Sequence, residues 1–112
     1  MITYRMIPRR TDKGGFLVLA ETNYGFGELS PKPSQQLHNH SPDGFNWGYE
    51  GSGSAQLALG LLLDVTGDVH VSLHHYQEFK RQVVAAHPMG SGWSITSEEI
   101  ADWLIARKGE TA

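Results

Sequence analysis

The sequence predicts an α+β fold, a small antiparallel β-sheet packed against three α-helices. Three observations point there. The first twenty residues alternate and turn as a β-hairpin does, residues 55–65 are apolar on almost every side, and two later segments repeat apolar residues at helical spacing. With 112 residues, the chain has the length of one domain, so residues 1–112 are expected to form a single one.

In chain order, Ile2, Tyr4 and Met6 alternate with Thr3 and Arg5, which predicts a half-buried strand that Pro8 stops. Lys13-Gly14-Gly15 is a turn signal, and Phe16-Leu17-Val18-Leu19-Ala20 is the returning strand. From Thr22 to Gly44 the composition changes to Pro, Ser, Asn, Gln and His, which predicts a flexible connection over about 22–44. Phe45, Trp47 and Tyr49 fall on one face of an extended segment, so residues 45–50 are expected to be the third strand.

Gly51-Ser52-Gly53-Ser54 leads into the first helix, with Ser52 or Ser54 as the expected N-cap. Within that helix only Gln56, Gly60 and Asp64 break the apolar surface, and their spacing of four makes one narrow stripe. A helix with so little polar surface belongs at the centre of the fold. The second helix, starting between Asp68 and Ser72, carries Leu73, Tyr76, Phe79 and Val83 as its apolar stripe. Trp93-Ser94-Ile95 is a short extended lead into the third. There Thr96 and Glu99 form a capping box, Arg107 and Lys108 fall in the last turn, and Gly109 is the expected stop.

Composition removes several chemistries. There is no cysteine, which excludes disulfides, thiolate metal sites and a Cys nucleophile. The longest apolar run, Leu57–Leu63, is far short of the ~20 residues of a membrane span, and the first residues lack the apolar core of a signal peptide. A cytoplasmic location is the expectation. No Walker loop, dinucleotide fingerprint, HExxH spacing or Gly-x-Ser-x-Gly elbow occurs, so no cofactor and no enzymatic activity are expected.

Charge is uneven. The formal net charge is −3, yet Arg5, Arg9, Arg10 and Lys13 against Asp12 make the first thirteen residues locally basic on an acidic body. These four are the candidate partner-binding residues, although a solvated hairpin tip explains the same charges. His38-Asn39-His40 and the adjacent His74 and His75 supply imidazoles, but neighbours on a helix point about 100° apart and are poorly placed to share an ion.

The block Phe45-Asn46-Trp47-Gly48-Tyr49-Glu50-Gly51-Ser52-Gly53-Ser54-Ala55-Gln56-Leu57-Ala58-Leu59, with Tyr76-Gln77-Glu78-Phe79-Lys80 and Trp93…Ile100-Ala101-Asp102-Trp103-Leu104, resembles a family of small proteins known only as a domain of unknown function. The resemblance covers roughly residues 45–105, and the family pattern carries proline where Ser54 stands. It implies a bacterial, phage or plasmid setting and no particular activity. Together these readings favour a non-enzymatic module that binds a protein partner. The alternatives are nucleic-acid binding through Arg5, Arg9, Arg10 and Lys13, helped by Lys80 and Arg81, and a small metal-dependent hydrolase built on His38, His40 and His74.

Overall fold

In the computed structural model, residues 1–111 are described, with side chains through Arg107. Strands β1 (Thr3–Arg10) and β2 (Phe16–Thr22) form the hairpin expected from alternation, in the register Tyr4↔Ala20 and Met6↔Val18. Gly14, at a φ of 105° that an L side chain resists, makes the turn. Pro8 does not end β1. It lies in a register shift between Ile7 and Arg10, where its missing N–H costs no ladder bond.

The remaining strands are not those the aromatic spacing suggests. A hairpin turn at Asn23 and Tyr24 brings β3 (Gly25–Glu28) onto β2, and β4 (Trp93–Thr96) pairs with β1, giving the order β3-β2-β1-β4 with every pair antiparallel. Residues 45–50 form no third strand. Phe45 alone bridges to Phe16, and Gly48 at a φ of 84° then turns the chain away from the sheet. The short span of the turn at residues 23 and 24 gives β3 the edge of β2 at little loop-closure cost.

Four helices lie on one side of the sheet: the short α1 (Lys32–Leu37), α2 (Ser52–Thr66), α3 (Val69–Phe79) and α4 (Ser97–Thr111). The region 22–44, expected from composition as a flexible connection, thus carries both β3 and α1. Helix α2 is the central one, buried from Gly53 through Leu62 against Tyr4, Met6 and Val18 of the sheet. Its N-cap is Gly51 rather than either serine, and Ser54 Oγ is buried without a partner. Ser54 is the third helical residue, where the backbone N–H has no intrahelical acceptor.

Asp68 caps α3 by accepting from the Val71 N–H at 3.1 Å. The buried stripe is Ser72, Tyr76, Phe79 and Val84, whereas Leu73 is 40% exposed. Ser72 tolerates burial because its hydroxyl donates to Asp68 O at 2.8 Å. The step of five from Phe79 to Val84 comes from a π turn over Lys80–Val84, closed by Ala85 N–H on Lys80 O. The capping box of α4 is present in both directions, Thr96 N–H to Glu99 Oε1 at 3.0 Å and Glu99 N–H to Thr96 Oγ1 at 3.1 Å. The helix continues past Gly109 to Thr111, and Lys108 lies outside the described side chains.

Two of the three aromatics at 45–49 are core. Trp47 is fully buried, lies 4.9 Å from the Phe16 ring and donates its indole N–H to Ser91 O, while Tyr49 turns outward. Trp47→Ala is expected to cost ~3–5 kcal/mol, the range for a large buried aromatic. Urea unfolding checks this, and an unchanged midpoint would place the indole outside the core.

Candidate functional site

All four helices lie on one side of the sheet, and no described helix covers the other, where Ile7, Leu17 and Leu19 are half-buried. Alternation places Arg5 and Ile7 of β1, Leu17, Leu19 and Glu21 of β2, and Phe26 and Glu28 of β3 on this outer face. The hydrophobic core and its partly buried neighbours include Phe16, Val18 and Ala20 but not Ile7, Leu17 or Leu19. Phe26 is 74% exposed, and Tyr24 at the hairpin turn beside it is fully exposed. The four apolar side chains form a patch crossed by the row Arg5–Leu19–Glu28.

The four predicted basic residues do not act as one cluster. Arg5 stands mid-strand, ~16 Å along β1 from Arg10, and its Nε donates to Glu21 Oε2 at 3.0 Å. That bond holds the Glu21 carboxyl below the usual carboxylate range. Arg10 donates to Gly14 O at 2.7 Å and lies 4.2 Å over the Phe16 ring, fastened to the hairpin tip. Arg9 and Lys13 are exposed, and neither forms an ion pair among the described residues. The sequence therefore exposes the charge of the hairpin but not that half of it is engaged.

The histidines are also separated. His38 and His40 stack face to face at 3.9 Å, which sets their nitrogens side by side rather than converging, and His40 Nε2 bonds Tyr76 Oη at 2.7 Å. His74 packs edge-on against His75, which in turn faces Trp103. Among the described residues, no group of three His, Asp or Glu side chains is placed to hold a metal ion. A hollow of about 420 Å³ lies between the hairpin tip and residues 28–32 and 43–45, with Lys13 and Lys32 opposed by Asp12 and Asp43. Such mixed charge selects for neither sign of ligand.

A family model of unknown function (DUF6166) matches residues 8–106. The chain belongs to that family. The match takes in β2, β3, all of α1–α3, β4 and most of α4, extending the resemblance seen over 45–105 to the leucines of the outer face. No curated protein and no solved structure matches the chain significantly. The DUF6166 match thus brings no catalytic or binding residue with it, and the site stands on geometry.

Sequence reasoning missed the apolar half of this face, although a signal was present. Phe16-Leu17-Val18-Leu19-Ala20 is apolar at both parities, which suits a strand covered on both sides. In a fold with helices on one side only, one parity is left outside.

His40 also makes the structure sensitive to pH. Burial, then the charges of His38 and Lys80, lower its pKa, and burial lowers that of His87. The unfolded chain therefore takes up these protons near pH ~6.5 while the folded one stays neutral, so stability is full above that pH and falls as pH drops through it. The urea midpoint should be lower at about pH 5.5 than at about pH 7.5, and His40→Gln should shrink the difference. Equal midpoints, or a difference untouched by the substitution, would contradict this.

Proposed function

We propose that this DUF6166 chain is a non-enzymatic binding module that acts through protein–protein contacts on the open face of its sheet. It would do so in the cytoplasm of a bacterial, phage or plasmid system, where inhibition of a host process is one form such binding takes. The observation that carries the reading is the patch of Ile7, Leu17, Leu19 and Phe26, which lies outside the core among the described residues. Apolar patches rimmed by polar groups mark interaction sites on soluble proteins. Here Arg5, Glu21 and Glu28 share the face, and Arg9 and Lys13 stand at the tip beyond it, so the basic residues form a flank of the surface rather than its centre.

Protein is favoured over nucleic acid as the partner. Phosphate binding would need several free cations to outweigh a net charge of −3, yet Arg5 and Arg10 are held within the chain. Of the aromatic triplet that could stack on bases, Phe45 and Trp47 are buried and Tyr49 alone is exposed.

Affinity capture from a bacterial lysate, with and without nuclease, tests this. A protein partner should survive nuclease and be lost with Leu19→Lys, whose side chain lies outside the core. In parallel, labelled DNA and RNA at near-physiological salt should bind no better than the non-specific range of ~10⁻⁴–10⁻⁶ M. Nanomolar nucleic-acid binding abolished by Arg9→Glu with Arg10→Glu would overturn the reading.

A further inference from the structure

The outer face has a symmetry of its own. Arg5, Leu19 and Glu28 lie directly across from one another on β1, β2 and β3, so a cation and an anion flank a central leucine. Leu17 precedes Leu19 on the same strand and the same face. Consider a two-fold axis that runs along β2 and lies above the face. It would lay β1 of one copy over β3 of the other, set Leu17 and Leu19 against their counterparts, and bring Arg5 over the second copy's Glu28 at both ends of the row. Phe26 would then cover Thr3 of the second copy, since Thr3, Glu21 and Phe26 form the adjacent row. The two Glu21 side chains meet near the axis, but each is already held by its own Arg5 at 3.0 Å.

We propose that the open sheet face associates with the same face of a second copy of this chain, the two sheets packing with their β2 strands aligned. The proposal rests on reading the face as a protein-contact surface, and it names the partner. Aligned packing of two twisted sheets, ~10 Å apart with strands within about 30° of each other, is an established way to bury such faces. An isologous contact requires a self-complementary patch, and the row Arg5–Leu19–Glu28 provides one. The opposed charges on a single face suit this occupant better than a uniformly acidic or basic partner, which would repel one end of the row. Strand spacings give a contact of roughly 400 Å² per copy, about 800 Å² in all, below the ~1,200–2,000 Å² of a standard stable interface. The association is therefore weak and transient, populated only at high protein concentration.

Sedimentation velocity across a concentration series from low to high micromolar tests this, with far-UV circular dichroism confirming that each variant is folded. The wild-type mass should rise from 12.4 kDa toward twice that value. Leu19→Lys should stay monomeric throughout. Arg5→Glu and Glu28→Arg alone should each weaken association by ~10-fold or more, because like charges then face each other. An equimolar mixture of these two variants should regain it, since the mixed pair restores both opposite-charge contacts. A wild type that stays monomeric, a dimer that survives Leu19→Lys, or a mixture no better than its components would overturn the proposal. If the wild type is monomeric while nuclease-resistant capture still depends on Leu19, the face binds a different protein and the proposed function stands. If capture also fails, both fall.

Discussion

One buried carboxamide organises the helical side of this fold. Gln56, on α2, has no solvent exposure, and all its hydrogen-bonding capacity is used within the segment that precedes the helix. Its Oε1 accepts from the His40 N–H at 2.8 Å and the Ser41 N–H at 3.0 Å, and its Nε2 donates to Ser34 Oγ at 2.9 Å and His38 O at 3.3 Å. Each of these polar groups, if buried without the side chain, would cost ~1–3 kcal/mol. The rest of the polar stripe continues the pattern. Gly60 admits the Phe45 ring to 3.0 Å of where a Cβ would stand, and Asp64 accepts from the Tyr4 hydroxyl at 2.5 Å. Three positions four residues apart thus fasten α1, Phe45 and β1 to a single helix. Burial and the Asp64 contact raise the Tyr4 pKa, so this phenol stays protonated and keeps donating.

The arrangement has a consequence for function. The helices gather on the α2 side of the sheet, and on the opposite side Leu17 and Leu19 stay outside the core, half-buried. The hollow beside the hairpin tip lies where the loop preceding α1 passes the tip, and its opposed charges give it no ligand preference.

Much of this was legible in the sequence, for identifiable reasons. The hairpin followed from period-two alternation, the place of α2 from its all-round apolarity, and the start of α4 from Thr96 and Glu99, because each signal is local and needs no partner element. Strand β3 was not legible. Gly25-Phe26-Gly27-Glu28 alternates only one aromatic with glycine, and it is a strand because β2 offers an edge across a short turn. Residues 45–50 erred the other way, since their aromatic spacing suits a strand while Gly48 requires a turn. The π turn, which put Val84 rather than Val83 in the core, left no mark in composition. At the candidate site, the charge of Arg5, Arg9, Arg10 and Lys13 was visible, but the diagonal Arg5–Glu21 pair depends on strand register, which charge counting does not contain. Gln56 showed its spacing but not its burial, because what covers it is the region whose composition resembles a loop.

The central claim is that Gln56 holds residues 34–41 against α2. Amide hydrogen exchange at His40 and Ser41 in the native chain tests it most directly. Both N–H groups should exchange far more slowly than an exposed loop, and Gln56→Leu should remove that protection while the β1–β2 hairpin amides keep theirs. Free-loop exchange at His40 and Ser41 in the wild-type chain would contradict the account.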